Sequence, residues 1–217
     1  AIRQMRMEVG KERSLFIHLS YVPTIKSAGE VKTKPTQHSV KELRSIGLQP
    51  DILVCRSELP IPALAKQKIA LFTNVEEEAV VSMVDYQTTY QAPLILHEEG
   101  LDQIVTQKLS LDVPAADLRD WVAVIEKELN PENQINVAFV GKYLDLLDAY
   151  KSLIEAIKHA GIHTSTKVHL NFVDAEELEN GKVDLLKSAN GILVPGGFGS
   201  RGFEGKIAAA QYARENR

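Results

Sequence analysis

Gln49-Pro-Asp-Ile-Leu-Val-Cys-Arg-Ser57 carries four apolar residues in unbroken succession between a turn-forming Gln-Pro-Asp and an Arg-Ser end. An uninterrupted apolar run of that length suits a strand covered on both faces, which is the habit of parallel sheets. Ala79-Val-Val-Ser-Met-Val-Asp85 repeats the pattern after the acidic turn Glu76–Glu78, and Ser14–Val22 precedes it with a strand dense in apolar and aromatic residues. Between them, Val40, Leu43 and Ile46 mark a short helix closed by Gly47, a residue that tolerates the left-handed conformation at a helix end. Lys68–Thr73 reads as a further strand, and a polar loop is expected over 24–37. Strands alternating with helices predict an α/β fold with a mainly parallel sheet.

Working outward, residues 93–110 read as helical segments around Gly100. Asp117–Leu129 is an amphipathic helix, with Leu118, Trp121, Val122, Ile125 and Leu129 on one face. The turn-rich Asn130-Pro-Glu-Asn-Gln134 separates it from a second α/β unit. That unit opens with the strand Ile135–Val140. Asp148 is the expected N-cap of a helix bearing Tyr150, Leu153, Ile154 and Ile157 and ending at Gly161. Strands at Lys167–Val173 and Gly191–Val194 follow. The expected division is 1–111, a linker with a helix over 112–134, and 135–217.

Bulk properties narrow the function. The chain has 217 residues, 44% hydrophobic and 25% charged, with net charge −4 and both signs scattered. No global basic field invites nucleic acid or an anionic membrane, so a bound polyanion needs a local cluster. A single cysteine, Cys55, excludes an internal disulfide framework and fits a reducing, cytoplasmic setting. No apolar stretch approaches the roughly 20 residues of a membrane helix. The chain begins at Ala1 inside a helical pattern (Ile2, Met5, Met7, Val9, with Gly10 as its stop). It ends just after a helix, so an internal piece of a longer enzyme is expected.

Three segments carry chemistry. In Lys32-Thr-Lys-Pro-Thr-Gln37, an extended backbone would point Lys32 and Lys34 the same way. Two ammonium groups placed together repel unless an anion sits between them. Thr33, Thr36 and Gln37 add donors, and a helix beginning after Gln37 would offer amides. Together they make a triphosphate clamp, against the plainer reading of a solvated basic turn. Pro195-Gly-Gly-Phe-Gly-Ser-Arg-Gly-Phe-Glu-Gly-Lys206 lets a backbone approach a ligand closely. Within it Gly197-Phe-Gly-Ser-Arg-Gly202 has the letters of a dinucleotide fingerprint, but on the third strand of its unit rather than the first. Gly205-Lys206 lacks the remaining residues of a phosphate loop. Gly141-Lys-Tyr143 with Asp148-Ala-Tyr150 is a strand–helix turn with a charged lip. His159 and His163 are read as surface residues separated by the helix break at Gly161, and no metal-ligand spacing occurs.

With these residues quoted, the chain resembles the CTP synthase family from end to end. The signatures are Gly29–Arg44, Gln49–Ser57, Gly141–Tyr143 with Asp148–Tyr150, and Val194-Pro-Gly-Gly-Phe-Gly199. The resemblance implies the C-terminal part of an amidoligase (synthetase) domain followed by the N-terminal part of a class I glutamine amidotransferase domain. It implies a ligase of pyrimidine nucleotide synthesis: ATP phosphorylates the uracil O4 of UTP, and ammonia from glutamine displaces that phosphate at C4. Water exclusion keeps the ammonia from being lost.

Carried over position by position, Lys32, Thr33, Lys34, Pro35, Thr36 and Gln37 resemble the segment for UTP and the inhibitory product CTP, with Lys68 a further basic contact. Val84, Asp85 and Tyr86 stand where the family meets ATP. Some relatives have lysine at 84, and Tyr86 is bulkier than their aliphatic residue. Gly196 and Gly197 resemble the loop that holds glutamine and its oxyanion, and Arg201, Gly202 and Glu204 the lid linked to activation by GTP. The resemblance also implies a homotetramer, Mg2+ ligands before Ala1, and a nucleophilic cysteine with its histidine and glutamate beyond Arg217. Cys55, mid-strand in the other domain, is not that nucleophile, so no catalytic residue is expected within the chain, which taken alone should be inactive. Two rivals stand beside this reading: a non-catalytic nucleotide-sensing or assembly module, and a dinucleotide-dependent oxidoreductase built on Gly197–Gly202.

Overall fold

The computed structural model describes residues 1–25, 30–142, 144, 146–197 and 199–216. Gly29, Tyr143 and Phe198, members of the signatures quoted above, lie outside the described residues. The chain divides into two compact units, Ala1–Val122 and Ala123–Arg217.

The first unit runs α1 (Ile2–Val9), β1 (Ile17–Tyr21), β2 (Thr24–Ile25), β3 (Glu30–Val31), α2 (Lys34–Ser45), β4 (Ile52–Ser57), α3 (Ala63–Thr73), β5 (Val80–Val84), α4 (Ala92–Glu98) and α5 (Leu101–Lys108). β1, β4 and β5 form a parallel sheet with β4 in the middle, Ile17 opposite Ile52 and Leu53 opposite Val80. Side chains alternate across a strand, so the apolar run of β4 feeds two cores. Leu53 and Cys55 pack with Val22, Val40, Ile61 and Ile69 on one face. Ile52 and Val54 pack with Ala79, Val81 and the half-buried Leu96, Leu101 and Ile104 on the other. Each such aliphatic side chain contributes about 1.5–3 kcal/mol by leaving water. An ion pair closes the entry: Arg6 donates to both oxygens of Asp51 at 2.7 and 3.0 Å, and Asp51 also accepts from the Phe16 amide at 2.8 Å.

Two local expectations fail here. Lys68–Thr73 is not a strand but the second half of helix α3. Its inward residues Ala65, Ile69 and Thr73 recur at helical spacing, while Leu64, Leu71 and Phe72 face outward. A short apolar run cannot by itself distinguish the two periods. The expected polar loop 24–37 is partly ordered structure: β2 and β3 pair antiparallel, and α2 already begins at Lys34. Pro35 sits in the first turn, where a missing N–H costs nothing and a fixed φ suits the helix.

The second unit contains β6 (Asn133–Gly141), α7 (Lys151–His163), β7 (Thr166–Asp174), α8 (Ala175–Glu179), β8 (Gly191–Leu193) and α9 (Phe203–Glu215); α6 (Arg119–Leu129) spans the division between the units. The sheet is parallel in the order β7-β6-β8. Ala138 and Val140 pack with Val173, Ala175, Leu178, Leu186 and Ala209. On the opposite face of β6, Phe139 meets Tyr150 and Phe172 with ring centroids 4.9 and 5.3 Å apart. Asp148 is not an N-cap: it lies in the 3-10 turn Leu147–Tyr150, and α7 follows from Lys151 without a side-chain cap. Gly161 does not stop α7, which continues to His163. A Cβ at Gly161 would stand 2.6 Å from the Thr166 carbonyl oxygen, so this glycine permits close approach of the helix to the start of β7. His159 and His163 therefore share one helix, and both are exposed.

Gly205 shows the same need more strongly, since a Cβ there would fall 1.7 Å from the Ala175 carbonyl oxygen and 3.2 Å from the Glu179 amide nitrogen. Backbone cannot move aside as a side chain does. Gly205→Ala is expected to destabilise the second unit by about 3 kcal/mol, the upper end of overpacking costs. Urea unfolding followed by circular dichroism checks this, and an unchanged midpoint would contradict the packing.

Candidate functional site

Parallel strands place all their carboxyl ends along one edge of a sheet, and ligands of open α/β sheets gather there. In the first unit that edge is followed by the β2–β3 hairpin and the start of α2 after β1, by Arg56–Ser57 at the end of β4, and by Val84–Tyr86 at the end of β5. Lys32 is held to the hairpin by its amide, which donates to the Pro23 carbonyl at 2.9 Å. Its ammonium donates to Glu30 at 2.7 Å. Lys68, on α3, acts on the same carboxylate: the hydrogen bond and charge of Lys32, with the more distant charge of Lys68, hold Glu30 below the usual carboxylate range. Lys32 is thus the cation in contact with Glu30, while Lys68, on a helix rather than the expected strand, adds only a weak charge effect on that carboxylate.

The extended-segment argument for pairing Lys32 with Lys34 does not survive. Thr33 has helical dihedrals as the residue before α2, and Lys34 is the first helical position, exposed beside Pro35. Thr36 is fully buried; it accepts from Ser20 at 2.8 Å and donates to the Tyr21 carbonyl at 3.3 Å, locking α2 to β1. Gln37 donates to the Thr33 hydroxyl at 3.1 Å. The segment therefore offers two exposed or half-exposed cations on a helix start whose threonines fix its position. Arg56 was not singled out as a site residue. It pairs with Asp85 at 2.9 Å and lies opposite Tyr21, and Asp85 raises its already high pKa. Val84, Asp85 and Tyr86 line an open depression with Gln87, Gln91 and Ile95.

The second unit repeats the arrangement. Its carboxyl edge carries Lys142 directly after β6, the β7–α8 junction, and the glycine loop between β8 and α9. Asp174 caps α8 by accepting from the Glu176 amide at 2.9 Å. Arg201 pairs with Glu176 and reaches toward the Lys142 carbonyl. Gly202 takes φ 67° as the residue before α9, and a Cβ there would meet Ala175 at 2.9 Å. Glu204 is exposed in the first turn of α9. Gly196 has open space around it, whereas Gly197 lies against Lys142 and Lys206. Lys142 belongs to the Gly141–Tyr143 signature but has no role assigned from sequence, and Glu176 lies outside every segment singled out; a lysine after a strand and a glutamate in an acidic turn look like solvated residues.

Among the described residues no group of three His, Cys, Asp or Glu side chains could hold a metal, and no helix is long and apolar enough to cross a membrane. Cys55 lies mid-strand in β4 with no exposed surface.

Two family models match the chain: one described as CTP synthase N-terminus over residues 1–111, the other as glutamine amidotransferase class-I over residues 145–217.

Burial pushes the Cys55 thiol up to about 12, against a small opposing effect of the Lys66 charge. At pH 8 the thiolate fraction is then about 1 in 10,000. Iodoacetamide is expected to leave the Cys55 peptide unmodified in the native protein and to alkylate it after unfolding in guanidinium. Mass spectrometry reads both, and ready native labelling would contradict the buried, inert assignment.

Proposed function

The chain belongs to the CTP synthase family of glutamine-hydrolysing ligases, and we propose that its first unit grips the triphosphate of UTP or CTP while its second presents the glutamine loop. The observation that carries the nucleotide assignment is the Lys32 ammonium held on the exposed Glu30 carboxylate at 2.7 Å, at the carboxyl edge of the sheet beside the start of α2. An exposed anion already rests on the first lysine of the segment. A phosphate brings more charge and more acceptor oxygens than a carboxylate, and replacing Glu30 on Lys32 is favourable for that reason. Lys34 adds a further cation from the N-terminal turn of α2, whose amides favour an anion. Thr33, Pro35, Thr36 and Gln37 shape and anchor that turn.

ATP belongs beside Val84, Asp85 and Tyr86 in this reading. Asp85 supplies acceptors for ribose hydroxyls and Tyr86 a ring face for a base, at the end of the strand next to β4. Among the described residues no group of three His, Cys, Asp or Glu side chains is placed to hold magnesium. ATP supplies the phosphate that turns O4 of the uracil ring into a leaving group. The chain's own part is to hold the pyrimidine nucleotide by its phosphates so that C4 stays in place for ammonia.

In the second unit, Gly196 and Gly197 supply amides to the oxyanion formed from glutamine, a contribution of about 2.7–4 kcal/mol for each well-placed donor. Arg201, Gly202 and Glu204 form the GTP-responsive lid, with Arg201 exchanging Glu176 for a phosphate. The functional domains are 1–111 and 135–217, joined by 112–134. A cytoplasmic homotetramer completes this reading, and the outward Leu64, Leu71 and Phe72 of α3 are apolar surface that association would cover.

In the full-length enzyme, Lys32→Ala and Lys34→Ala are each expected to raise the UTP requirement by about 10–100-fold, the value of a charge-assisted contact. Glutamine hydrolysis without UTP should stay unchanged. Equal UTP affinity in variant and parent would remove the clamp. The 217-residue chain alone, given glutamine, ATP and UTP, is expected to form no CTP, because its one cysteine is the inert Cys55; measurable CTP would overturn that.

A further inference from the structure

We infer that Lys206 and Lys142 are positioning residues for the glycine loop, two ammonium struts that set the direction of its amides. The inference rests on the reading of Gly196 and Gly197 as oxyanion donors.

Lys206 stands in the first turn of α9, and its ammonium donates to the Pro195 carbonyl at 2.8 Å. Lys142 follows β6, is only 3% exposed, and donates to the Gly199 carbonyl at 2.9 Å. Its place is fixed from behind: the Lys142 amide donates to the Tyr150 hydroxyl at 3.1 Å, and the Tyr150 ring packs edge-on against Phe139. Burying an ammonium group carries a large desolvation cost unless hydrogen bonds replace its water. A buried lysine whose amine reaches a loop carbonyl therefore serves that loop rather than the core.

The consequence follows from peptide geometry. The Pro195 carbonyl and the Gly196 amide belong to one planar unit, and no cis peptide bond occurs among the described residues. In a trans peptide the C=O and N–H point in opposite directions. Holding the Pro195 carbonyl toward Lys206 turns the Gly196 N–H away from that ammonium. A Cβ at Gly196 would meet nothing within 4 Å, so the residue is not packed in. At Gly197, by contrast, a Cβ would stand 3.3 Å from the Lys206 amine and 3.9 Å from the Lys142 side chain. The Gly199 carbonyl, turned to Lys142, fixes the Ser200 amide in the same manner. A cation on the carbonyl also polarises the peptide and strengthens its N–H as a donor. The struts thus both aim and sharpen the Gly196 amide before substrate arrives.

The test uses the full-length enzyme. Lys206→Met is expected to lower kcat for glutamine hydrolysis by about 10–100-fold, short of or matching the loss of a whole oxyanion donor. The KM for glutamine should change less than about threefold, because the strut acts on the donor's aim in the transition state. Lys206→Arg, which keeps a cationic donor, should recover most of the loss, and Lys142→Met should behave as Lys206→Met does. CTP formation from free ammonia should be unchanged in all three, showing that the rest of the enzyme is intact. Should Lys206→Met lose its fold by thermal unfolding, Lys206→Gln takes its place, with the same split expected. Gly196→Pro removes the amide itself in open space. If Gly196→Pro leaves hydrolysis intact, the loop is not the oxyanion loop and the underlying assignment falls. If Gly196→Pro abolishes hydrolysis while the lysine variants keep kcat, the strut role alone is wrong. An equal rise in KM with unchanged kcat would also overturn it.

Discussion

Two parallel strands cannot be joined by a tight turn, so the chain must cross back, usually through a helix, before each new strand. That constraint governs both units. β1, β4 and β5 all deliver their next segment at one edge, and β6, β7 and β8 do the same. Residues far apart in sequence then meet without any one segment having to fold around a ligand. Arg56 comes to Asp85, and Arg201 comes to Glu176 across 25 positions. The central strands β4 and β6 make this possible by being buried on both faces. Their apolar residues are the cost-bearing part of the fold, and the polar edge depends on them for its rigidity.

The glycines divide by cause rather than by motif. Gly161 and Gly205 are needed because a neighbouring backbone lies where a Cβ would be, and Gly202 because of both its positive φ and Ala175. Gly196 is unconstrained by packing, and Gly197 faces two lysine side chains. A glycine-rich string in sequence therefore mixes residues that packing requires with residues that packing leaves free. The letters that imitate a dinucleotide fingerprint are of the first kind at Gly202. The geometry gives that position to close packing against Ala175 at the start of α8, and the two matched families do not favour the oxidoreductase reading.

The α/β class and most strands were legible in the sequence, because β4, β5 and β6 carry patterns that only a sheet interior favours. The quoted resemblance agrees with the two matched families. The errors share a physical origin. Lys68–Thr73 has too few residues for its period to declare itself, and only the inward set Ala65, Ile69 and Thr73 reveals a helix. The segment 32–37 reads as extended chain before a helix, but Pro35 suits a first helical turn and α2 already begins at Lys34. Gly161 was read by its propensity, but tertiary contact with Thr166 decides its role. Glu30, Arg56, Lys142 and Lys206 lie in stretches that the sequence marks, but nothing local assigns them a partner, and Glu176 lies in none of them. Their meaning comes from partners brought close by the sheet, which a single sequence read segment by segment does not display.

Those partners share one feature. Lys32 holds Glu30, Arg56 holds Asp85, and Arg201 holds Glu176, each at a sheet edge and each largely exposed. Exposed pairs of this kind contribute about 0–1 kcal/mol, because water screens the charges and ordering long side chains costs entropy. They are poor stabilisers of a fold and easily opened. In the proposed function, the cation keeps a defined position while no ligand is present and would give up little to a phosphate. Lys142 and Lys206 differ in kind: they hold backbone carbonyls, and one of them is buried. Exchange with a ligand would leave those carbonyls and a desolvated ammonium unpaired, which is far more costly. A basic residue is thus easily released where its partner is an exposed carboxylate and firmly held where its partner is the chain itself.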